Sequence, residues 1–443
     1  MKRIFYFLII LLGLAACSDN DSFTTSRSSL LTFSVDTVKL DTVFSNVGSS
    51  TYSFWVFNHG DDGIRLNSVR LKKGNQTGYR VNVDGSYLDN TMGSVATDLE
   101  VRSGDSIRVF VELTAAENKQ LEPQLVEDDL VFALESGVQQ AVHLRGCSWD
   151  ALMMTNLTVS RDTTIESLKP LVFYGNGLEV DSGVVLTLRN STLYFHDKAG
   201  ITVRGTLKTE NVEMRGDRLD HMFDYLPYNR VSGQWEGIVF TSSSVGNDLT
   251  DTRICNAMLG VRVDSAAVDS TMQRLTMTRC VVHNAKGAGI SATHSFIGLY
   301  YCQLTNTLGD CLALHGGITD MDHCTLAQFY PFSAARGNAL YFVNGNGLIL
   351  YCTNSIVTGY GEDVVLGECS DTTKMYAYQF VDCLLRTPEV KKDTVGFKRI
   401  QWEKPKDSIQ GKQHFVLMDE KNYIYDFHLD SLSTAKGKGC YPD

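Results

Sequence analysis

Residues 275–385 repeat one short pattern, and this repeat limits the folds open to the chain more than any other feature. Each copy has an apolar residue, two spacers, a small residue, one spacer, a second apolar residue and then a turn-forming residue two places on. The small residues Cys280, Cys302 and Cys324 are 22 positions apart. The copies, including two looser ones, are Met277–Cys280–Val282–Asn284, Leu299–Cys302–Leu304–Asn306, Met321–Cys324–Leu326–Gln328, Phe380–Cys383–Leu385, Leu249–Thr252–Ile254–Asn256 and Cys352–Ser355–Val357–Gly359. Such a period predicts stacked coils of β-strand, with one coil per repeat.

Stacked coils would turn each position of the repeat into a column of residues about 4.8 Å apart. The apolar positions −5, −3, 0 and +2 around the small residue break strict alternation between −3 and 0. This predicts a bend in the chain there, because side chains alternate along a straight strand. The Asn at +4 predicts a second bend, since Asn tolerates left-handed backbone geometry. An antiparallel β-sandwich is the alternative, but it gives no reason for the recurring small residue.

Residues 30–146 show about seven short strands with alternating polarity, separated by turns such as Asp84-Gly85. This spacing predicts an antiparallel β-sandwich. The opening Val35-Asp36-Thr37-Val38 and the turn Asn58-His59-Gly60 resemble immunoglobulin-like (Ig-like) modules of the Hydin type. The resemblance implies a spacer or a docking platform.

Residues 150–443 repeat a strand, a small residue, a Gly turn and a further strand. The segments that carry a family resemblance are 193–197, 205–207, 215–220, 233–238 and 425–430. They resemble right-handed parallel β-helix proteins of the pectate-lyase-like superfamily, and in particular Bacteroidota lipoproteins built from such repeats. The resemblance implies an all-β chain in which 425–430 is the last rung. The lysine-rich residues 388–415 are predicted to be an excursion that caps the end of the stack.

The N-terminus predicts export and lipid attachment. Lys2 and Arg3 precede a short apolar run, which is followed by Leu14-Ala15-Ala16-Cys17. This resembles a bacterial lipoprotein signal, and it implies a signal peptide over residues 1–16, lipidation of Cys17 and a flexible tether over residues 17–29. The acidic residues after Cys17 resemble the export signal of Bacteroidota lipoproteins that face outward from the outer membrane.

Ten cysteines remain after Cys17. An even number in an exported chain normally indicates disulfides. Here Cys280, Cys302, Cys324 and Cys383 share one predicted column, where Cβ atoms are farther apart than the ~3.8 Å that a disulfide prefers. We therefore predict buried free thiols that act as small apolar residues. The Cys and His spacing does not resemble a zinc site, and we predict neither a metal nor a cofactor.

The formal charge of the chain is −11, with 51 acidic and 40 basic residues. No basic stripe is visible, which argues against a nucleic-acid partner. The same excess of negative charge would weakly repel polyanionic glycans.

Asp310 and His315 are the first candidates for catalysis. They lie in Gly309-Asp310-Cys311-Leu312-Ala313-Leu314-His315-Gly316-Gly317, and polygalacturonase-like glycosidases carry comparable Asp-Asp-Cys and Gly-His-Gly motifs. Gly309 replaces the first Asp of that pattern, whereas glycoside hydrolysis needs two carboxylates around one bond. A turn before a core strand explains the segment more simply.

A polysaccharide lyase of this fold would need carboxylates that bind calcium beside an Arg or Lys base. The acidic candidates are scattered and share no repeat position with the basic ones. They are Asp264, Asp269, Asp320 and Asp322 on the acidic side and Arg262, Lys286 and Arg336 on the basic side. The histidines His283, His294 and His323 sit next to different repeat positions, and we interpret them as surface residues. The tripeptide Arg215-Gly216-Asp217 is interpreted as a turn.

Two aromatic inserts are candidates for binding. They interrupt the repeat, and inserts protrude from a solenoid and commonly carry its binding site. Packing of these rings against the solenoid is the alternative. The candidate binding residues are Phe223, Tyr225, Tyr228, Trp235, Phe329, Tyr330 and Phe332.

The sequence thus favours a surface lipoprotein that binds a neutral glycan or a surface protein without catalysis. A polysaccharide lyase or glycoside hydrolase is the alternative, and a cluster of carboxylates and a base in one groove would favour it.

Overall fold

The computed structural model describes residues 22–88, 91, 93–404 and 408–441, without the side chains of 408–410. It confirms the all-β class and divides the chain into two compact units, Met1–Asp150 and Ala151–Asp443. The described residues contain no helix long and apolar enough to span a membrane.

The first unit consists of two sheets that share one hydrophobic cluster. One sheet has the order β1-β3-β9-β5-β6 and the other β2-β11-β10-β4-β7, with β8 also paired to β4. Alternation is clear in β9, where Ile107, Val109, Val111 and Leu113 face the core. The strands are β1 (Thr32–Phe33), β2 (Thr37–Phe44), β3 (Tyr52–Phe57), β4 (Ile64–Leu71), β5 (Tyr79–Val83), β6 (Ser86–Tyr87), β7 (Val95–Ala96), β8 (Leu99–Val101), β9 (Ser106–Leu113), β10 (Gln124–Leu134) and β11 (Gln139–Trp149).

The second unit is built on a 22-stranded sheet in which every assigned register between strands is parallel. In chain order its strands are β12 (Leu152–Val159), β13 (Thr163–Glu166), β14 (Leu171–Val180), β15 (Val185–Phe195), β16 (Gly200–Val203), β17 (Thr206–Gly216), β20 (Ile238–Phe240), β21 (Asn247–Cys255), β22 (Val261–Val263), β23 (Leu275–Thr278), β24 (Val281–His283), β25 (Ile290–Tyr300), β26 (Gln303–Thr305), β27 (Leu312–Asp322), β28 (Thr325–Gln328), β29 (Leu340–Thr353), β30 (Ile356–Gly359), β31 (Val365–Glu368), β32 (Tyr376–Val381), β33 (Leu384–Leu385), β34 (Phe397–Lys398) and β35 (Gln401–Trp402). Two hairpins lie outside it, β18 (His221–Phe223) with β19 (Leu226–Pro227), and β36 (Phe415–Asp419) with β37 (Ile424–Leu429).

Each coil of this solenoid contributes three strand segments, which stack on their counterparts in the next coil. Face A contains residues 261–263, 290–293, 312–315, 340–343 and 365–368. Face B contains residues 275–278, 297–300, 319–322, 350–353 and 378–381. Face C contains residues 253–255, 281–283, 303–305, 325–328 and 356–359. Their inward side chains form one continuous hydrophobic cluster.

The predicted bend between positions −3 and 0 is confirmed at the corner between faces B and C. One residue per coil there has a left-handed backbone, with φ between 43° and 56°. Its N–H still donates to a carbonyl of the next coil, as from Tyr301 to Asp322 at 3.0 Å and from His323 to Thr353 at 3.1 Å. The corner therefore turns the chain without interrupting the hydrogen bonds between coils. The residues of this column are Asn190, Asn211, Asp251, Arg279, Tyr301, His323, Asn354, Asp382 and Arg399.

The side chain of the small residue that follows the bend forms a hydrogen bond with the preceding coil. The thiol of Cys302 donates to the carbonyl of Met277 at 3.3 Å, and that of Cys324 to Leu299 at 3.3 Å. Cys280, Cys302, Cys324 and Cys383 are fully buried in one column, and the predicted register is confirmed by the strands that follow them. A larger side chain in this position would collide with the packed corner.

The C-terminal part differs from the prediction in two respects. Residues 397–402, within the predicted excursion, add β34 and β35 to the parallel sheet. The predicted last rung at 425–430 instead lies in the antiparallel hairpin β36–β37, whose apolar residues pack on the outer side of face C. Outward residues of face C such as Ile356 and Leu384 are apolar and need a cover, which the C-terminal segment provides.

A buried ionic network joins this C-terminal segment to the solenoid. Glu403 accepts hydrogen bonds from Thr358 at 2.7 Å and lies 2.9 Å from the His414 imidazole and 3.8 Å from the Arg386 guanidinium. All three charged or titratable residues are at most 6% exposed. Such a network is costly to leave half complete.

We predict that Glu403→Gln destabilises the second unit by about 3–5 kcal/mol, because the buried Arg386 loses its carboxylate. Glu210→Gln is the matched control, since Glu210 forms an exposed pair with Arg189, and it should cost at most about 1 kcal/mol. Denaturant unfolding followed by tryptophan fluorescence measures both. Equal losses in the two variants would contradict the role of the network.

All ten described cysteines are free thiols in the structure. We predict that a chain that begins at residue 18, and therefore lacks Cys17, reacts with ten equivalents of thiol reagent when it is denatured without reductant. Cys302→Leu should lower stability by about 1–3 kcal/mol through overpacking, whereas Cys369→Leu, at an exposed position, should change it little. A preparation without free thiols would show that the column is bridged.

Candidate functional site

A cavity of about 200 Å³ lies beside face C of the second unit, at the turn that leads from face C to face A. Three chain segments that leave the regular coils meet around it: the insert at 219–235, the insert at 329–332 and the tip of hairpin β36–β37. Its lining residues are Asn229, Arg230, Arg253, Cys255, His283, Asn284, Asn306, Pro331, Phe332, Tyr423, Ile424 and Tyr425.

The floor of the cavity belongs to the second predicted bend. Asn256, Asn284 and Asn306 have left-handed backbones, with φ of 65°, 59° and 55°. Their N–H groups donate to carbonyls of the next coil at 3.0–3.1 Å. The bend predicted from Asn at +4 is thereby confirmed. Its amide side chains stand in one column along the edge of the solenoid.

The amide N–H groups at the two ends of this column donate hydrogen bonds, whereas Gln328 Oε1 has no partner among the described residues. The middle of the column lies at the cavity. The Nδ2 atom of Asn256 donates to the carbonyls of Asn229 and Val231 at 3.0 Å, which holds the first insert in place. At the other end, Gln328 Nε2 donates to the carbonyl of Gly309 at 2.8 Å. Between them, Asn306 is 1% exposed, and neither its Oδ1 nor its Nδ2 has a partner within the described part of the chain.

An unsatisfied buried amide costs about 1–3 kcal/mol of stability. Because nearly all buried polar groups in proteins are hydrogen-bonded, each exception needs a physical reason. Asn306 is among the residues that line the cavity, and a bound molecule that presents hydroxyl groups there would be one source of the missing partners.

The wall of the cavity along face C is formed by Arg253, Cys255 and His283. Burial, with a further effect of the Arg253 charge, lowers the pKa of His283 to about 3, so this imidazole is neutral near pH 7. Its Nδ1 lies 2.9 Å from Thr305 Oγ1, which leaves Nε2 for a ligand. Burial also raises the pKa of Cys255, so its thiol stays protonated.

The opposite wall depends on contacts between the segments. Ser232 in the first insert and Tyr330 in the second share a hydrogen bond of 2.9 Å. Phe332 lies with its ring centroid 4.8 Å from that of Tyr423 in the hairpin tip. Arg230 donates to the carbonyl of Asn422 in the same tip. These contacts bring an aromatic surface over the amide column.

The predicted binding aromatics separate into four groups. Trp235 and Phe329 are fully buried; Trp235 stacks on Phe195 at 4.4 Å in the core. Phe223 and Tyr225 are 54% and 66% exposed and stack on each other at the tip of hairpin β18–β19, outside the cavity lining. Of the seven, Phe332 alone contacts the cavity directly.

The two remaining residues support the cavity from behind. Tyr330 is 5% exposed and is hydrogen-bonded to Ser232, and Tyr228 packs under the guanidinium of Arg218 at 4.0 Å. Tyr228 opens the short 3₁₀ turn Tyr228–Arg230, which carries the cavity residues Asn229 and Arg230.

Asp310 and His315 lie away from the cavity, beside face A. Asp310 Oδ1 accepts from the backbone N–H and the amide of Asn338 at 2.7 and 3.2 Å. His315 packs edge-on against Tyr341, with ring centroids 5.7 Å apart. Asp310 thus fastens a turn to the next coil, in agreement with the simpler interpretation of this segment.

The carboxylates and bases considered for a lyase have separate partners. Asp264 pairs with Arg262 at 3.0 Å, Asp322 with His323 at 2.8 Å, and Asp320 accepts from Tyr300 at 3.0 Å. Arg336 donates to the carbonyl of Ser333. Within the described ranges, no group of three or more His, Cys, Asp or Glu side chains is arranged to hold a metal ion. Cys17 lies outside the described residues.

Several residues of the cavity escaped the sequence interpretation. His283 was predicted to be a surface residue, yet it is half-buried and lines the cavity. Arg253 had no role in any motif, and Tyr425 was assigned to the predicted last rung and not to a site. Asn306 was identified as a bend residue and Phe332 as a binding candidate, and these two signals in the sequence pointed to the site.

We predict that His283 makes folding sensitive to acid. Its folded pKa lies below that of an unfolded histidine, near 6.5, so the unfolded chain binds the proton first and stability falls as the pH drops from about 6.5 towards 3. The free energy of unfolding should fall by at most about 1.4 kcal/mol per pH unit through this group. His283→Gln should flatten the curve of unfolding free energy between pH 6 and pH 4. Parallel curves for the two proteins would contradict the neutral buried imidazole.

No family model matches the chain, and no curated protein matches it. Three solved structures show weak similarity. The catalytic unit of a thermostable GH87 α-1,3-glucanase from Streptomyces thermodiastaticus is 10% identical over 79% of this chain and 89% of that one, with a TM-score of 0.24. The VesB protease of Vibrio cholerae is 13% identical over 28% and 33%, and a family 123 glycoside hydrolase from Clostridium perfringens is 6% identical over 28% and 26%, both with TM-scores of 0.18. The chain therefore spans a third or less of these last two structures, and at such TM-scores none of the three carries an argument about function.

Proposed function

We propose that this chain is a lipid-anchored protein of the outer-membrane surface that binds a glycan at the cavity beside face C, without acting on it chemically. The unpartnered, buried amide of Asn306 in a cavity bordered by aromatic rings is the observation that carries the proposal. Amides and neutral imidazoles suit sugar hydroxyls, and aromatic faces suit the apolar faces of sugar rings.

The size of the cavity favours a glycan over a surface protein. Its volume of about 200 Å³ is below the roughly 300–1,000 Å³ of sites for drug-sized ligands. A single sugar unit suits such a space. A protein partner would require a contact surface of about 800 Å² on each side.

The membrane location rests on the N-terminal sequence. The signal-like residues 1–16, Cys17 and the acidic residues after it support export, lipidation and outward orientation. Mass spectrometry of the mature protein should find a lipid on Cys17, and Cys17→Ser should release the protein from membranes.

The finer architecture belongs to the same proposal. We assign an Ig-like sandwich at residues 30–146 and a right-handed parallel β-helix at residues 150–443. Two sheets around one core support the first assignment, and parallel coils with a period near 22 residues support the second. The Ig-like module would act as a spacer between the membrane and the binding domain.

The test of binding compares two variants at left-handed asparagines. Asn306→Gly keeps the backbone geometry and removes the side-chain amide. We expect this variant to bind the glycans of an array with an affinity that is roughly tenfold lower than that of the wild type. Asn211→Gly is the matched control, because the φ of Asn211 is 53° against 55° for Asn306 and its side chain donates to Asn190, outside the cavity lining. This variant should bind like the wild type. Equal binding of Asn306→Gly and wild type would place the site elsewhere.

A polysaccharide lyase or glycosidase is the alternative function. The same glycans, incubated with the protein, would then yield new reducing ends or the ultraviolet absorbance of unsaturated products. The separate partners of Asp264, Asp310, Asp320 and Asp322, which hold these carboxylates apart from one another, favour binding without cleavage.

A further inference from the structure

The charge of the cavity differs in sign from the charge of the chain. The full chain has a formal charge of −11. Among the described residues that line the cavity, however, the charged side chains are those of Arg230 and Arg253, and no lining side chain is a carboxylate. His283 adds no charge, because its pKa lies at about 3. A ligand in the cavity therefore experiences a local positive potential, which neighbouring low-dielectric walls strengthen.

Arg253 is the cation available to a ligand. Its guanidinium lies beside the thiol of Cys255, and among the described residues it forms no ion pair with a carboxylate. Glu213, its register partner on the preceding coil, acts on it electrostatically without forming an ion pair. Arg230, by contrast, already donates to the carbonyl of Asn422.

The nearby carboxylates of the hairpin tip are occupied by other partners. Glu420 pairs with Lys412 at 2.6 Å and accepts from Tyr360. Asp419 accepts from the amide of Asn422 at 2.7 Å and from two backbone N–H groups of its own turn. These contacts hold the two acidic groups in the hairpin, outside the cavity lining.

We propose that the ligand of this cavity is an anionic sugar, a hydroxyl-bearing ring that carries one carboxylate or one sulfate, with its anionic group against Arg253. This inference rests on the proposed glycan-binding function and adds the ligand class. A guanidinium matches the planar geometry of a carboxylate or the edge of a sulfate, and hydrogen bonds between charged groups are the stronger ones. Asn306 and the free Nε2 of His283 bind ring hydroxyls on the same ligand.

This ligand class departs from the neutral glycan expected from the overall charge. Exposed charges farther away than about 8 Å are largely screened at physiological ionic strength. Binding is therefore decided by the groups that line the cavity, and these are cationic or neutral.

The experiment measures binding of matched pairs of ligands by calorimetry and ligand-observed nuclear magnetic resonance. The pairs are galacturonic acid with galactose, N-acetylneuraminic acid with its methyl ester, and N-acetylglucosamine 6-sulfate with N-acetylglucosamine. Inorganic sulfate alone is included to distinguish a sugar site from a simple anion site. The proteins are the wild type, Arg253→Gln and the control Arg262→Gln, which removes an exposed arginine paired with Asp264 at 3.0 Å outside the cavity lining.

The proposal expects at least one acidic ligand to bind roughly tenfold tighter than its neutral partner. Arg253→Gln should abolish that difference, Arg262→Gln should preserve it, and a rise in salt should reduce it. The identity of the acidic ligand that binds shows whether the anionic group is a carboxylate or a sulfate.

Three results would overturn the inference. Neutral ligands that bind as tightly as acidic ones, with Asn306→Gly still reducing binding, would leave a glycan site without an anionic subsite. Inorganic sulfate that binds as tightly as the sugars would show a simple anion site. Absence of binding by every saccharide would overturn the proposed function as well.

Discussion

Continuous hydrogen bonding between successive coils is the constraint on which the rest of the second unit depends. At each corner of a parallel stack, the turn would leave backbone N–H and carbonyl groups without the partners that the strands provide. Buried groups of this kind need hydrogen bonds. The left-handed residues between faces B and C meet this demand, because their N–H groups keep donating to the next coil through the corner. The small residue after most of these bends is the consequence, since Cys302 and its cysteine counterparts pack on the inner side of that corner.

The same rule at the other corner produces the candidate site. Asn256, Asn284 and Asn306 serve a backbone requirement, and their amides come to stand in a column at the edge of the solenoid. Where the first insert or the preceding coil supplies partners, the amides are structural. Where the inserts and the hairpin leave a gap, the amide of Asn306 faces a cavity. A structural repeat thus becomes a candidate site through what surrounds it.

The C-terminal segment links stability to this site. Its apolar residues cover the outer side of face C, and the buried network of Glu403, His414 and Arg386 fastens it there. Its hairpin tip then supplies Tyr423 and Tyr425 to the cavity. The cover required by an apolar outer surface is also the third wall of the site.

The amino-acid sequence by itself determined the parallel stacking, the two bends per coil and the column of cysteines, because the repeat reports local backbone geometry at a constant spacing. It did not reveal that 425–430 forms an antiparallel hairpin, since alternating residues suit a rung or a hairpin equally well. Nor did it distinguish buried Trp235 and Phe329 from Phe332 at the cavity, because aromatic composition is the same in both places. Arg253, His283, Asn306 and Tyr425 are far apart in sequence, and only the tertiary structure decided that they meet, because their proximity depends on how the coils stack and where the inserts fold back.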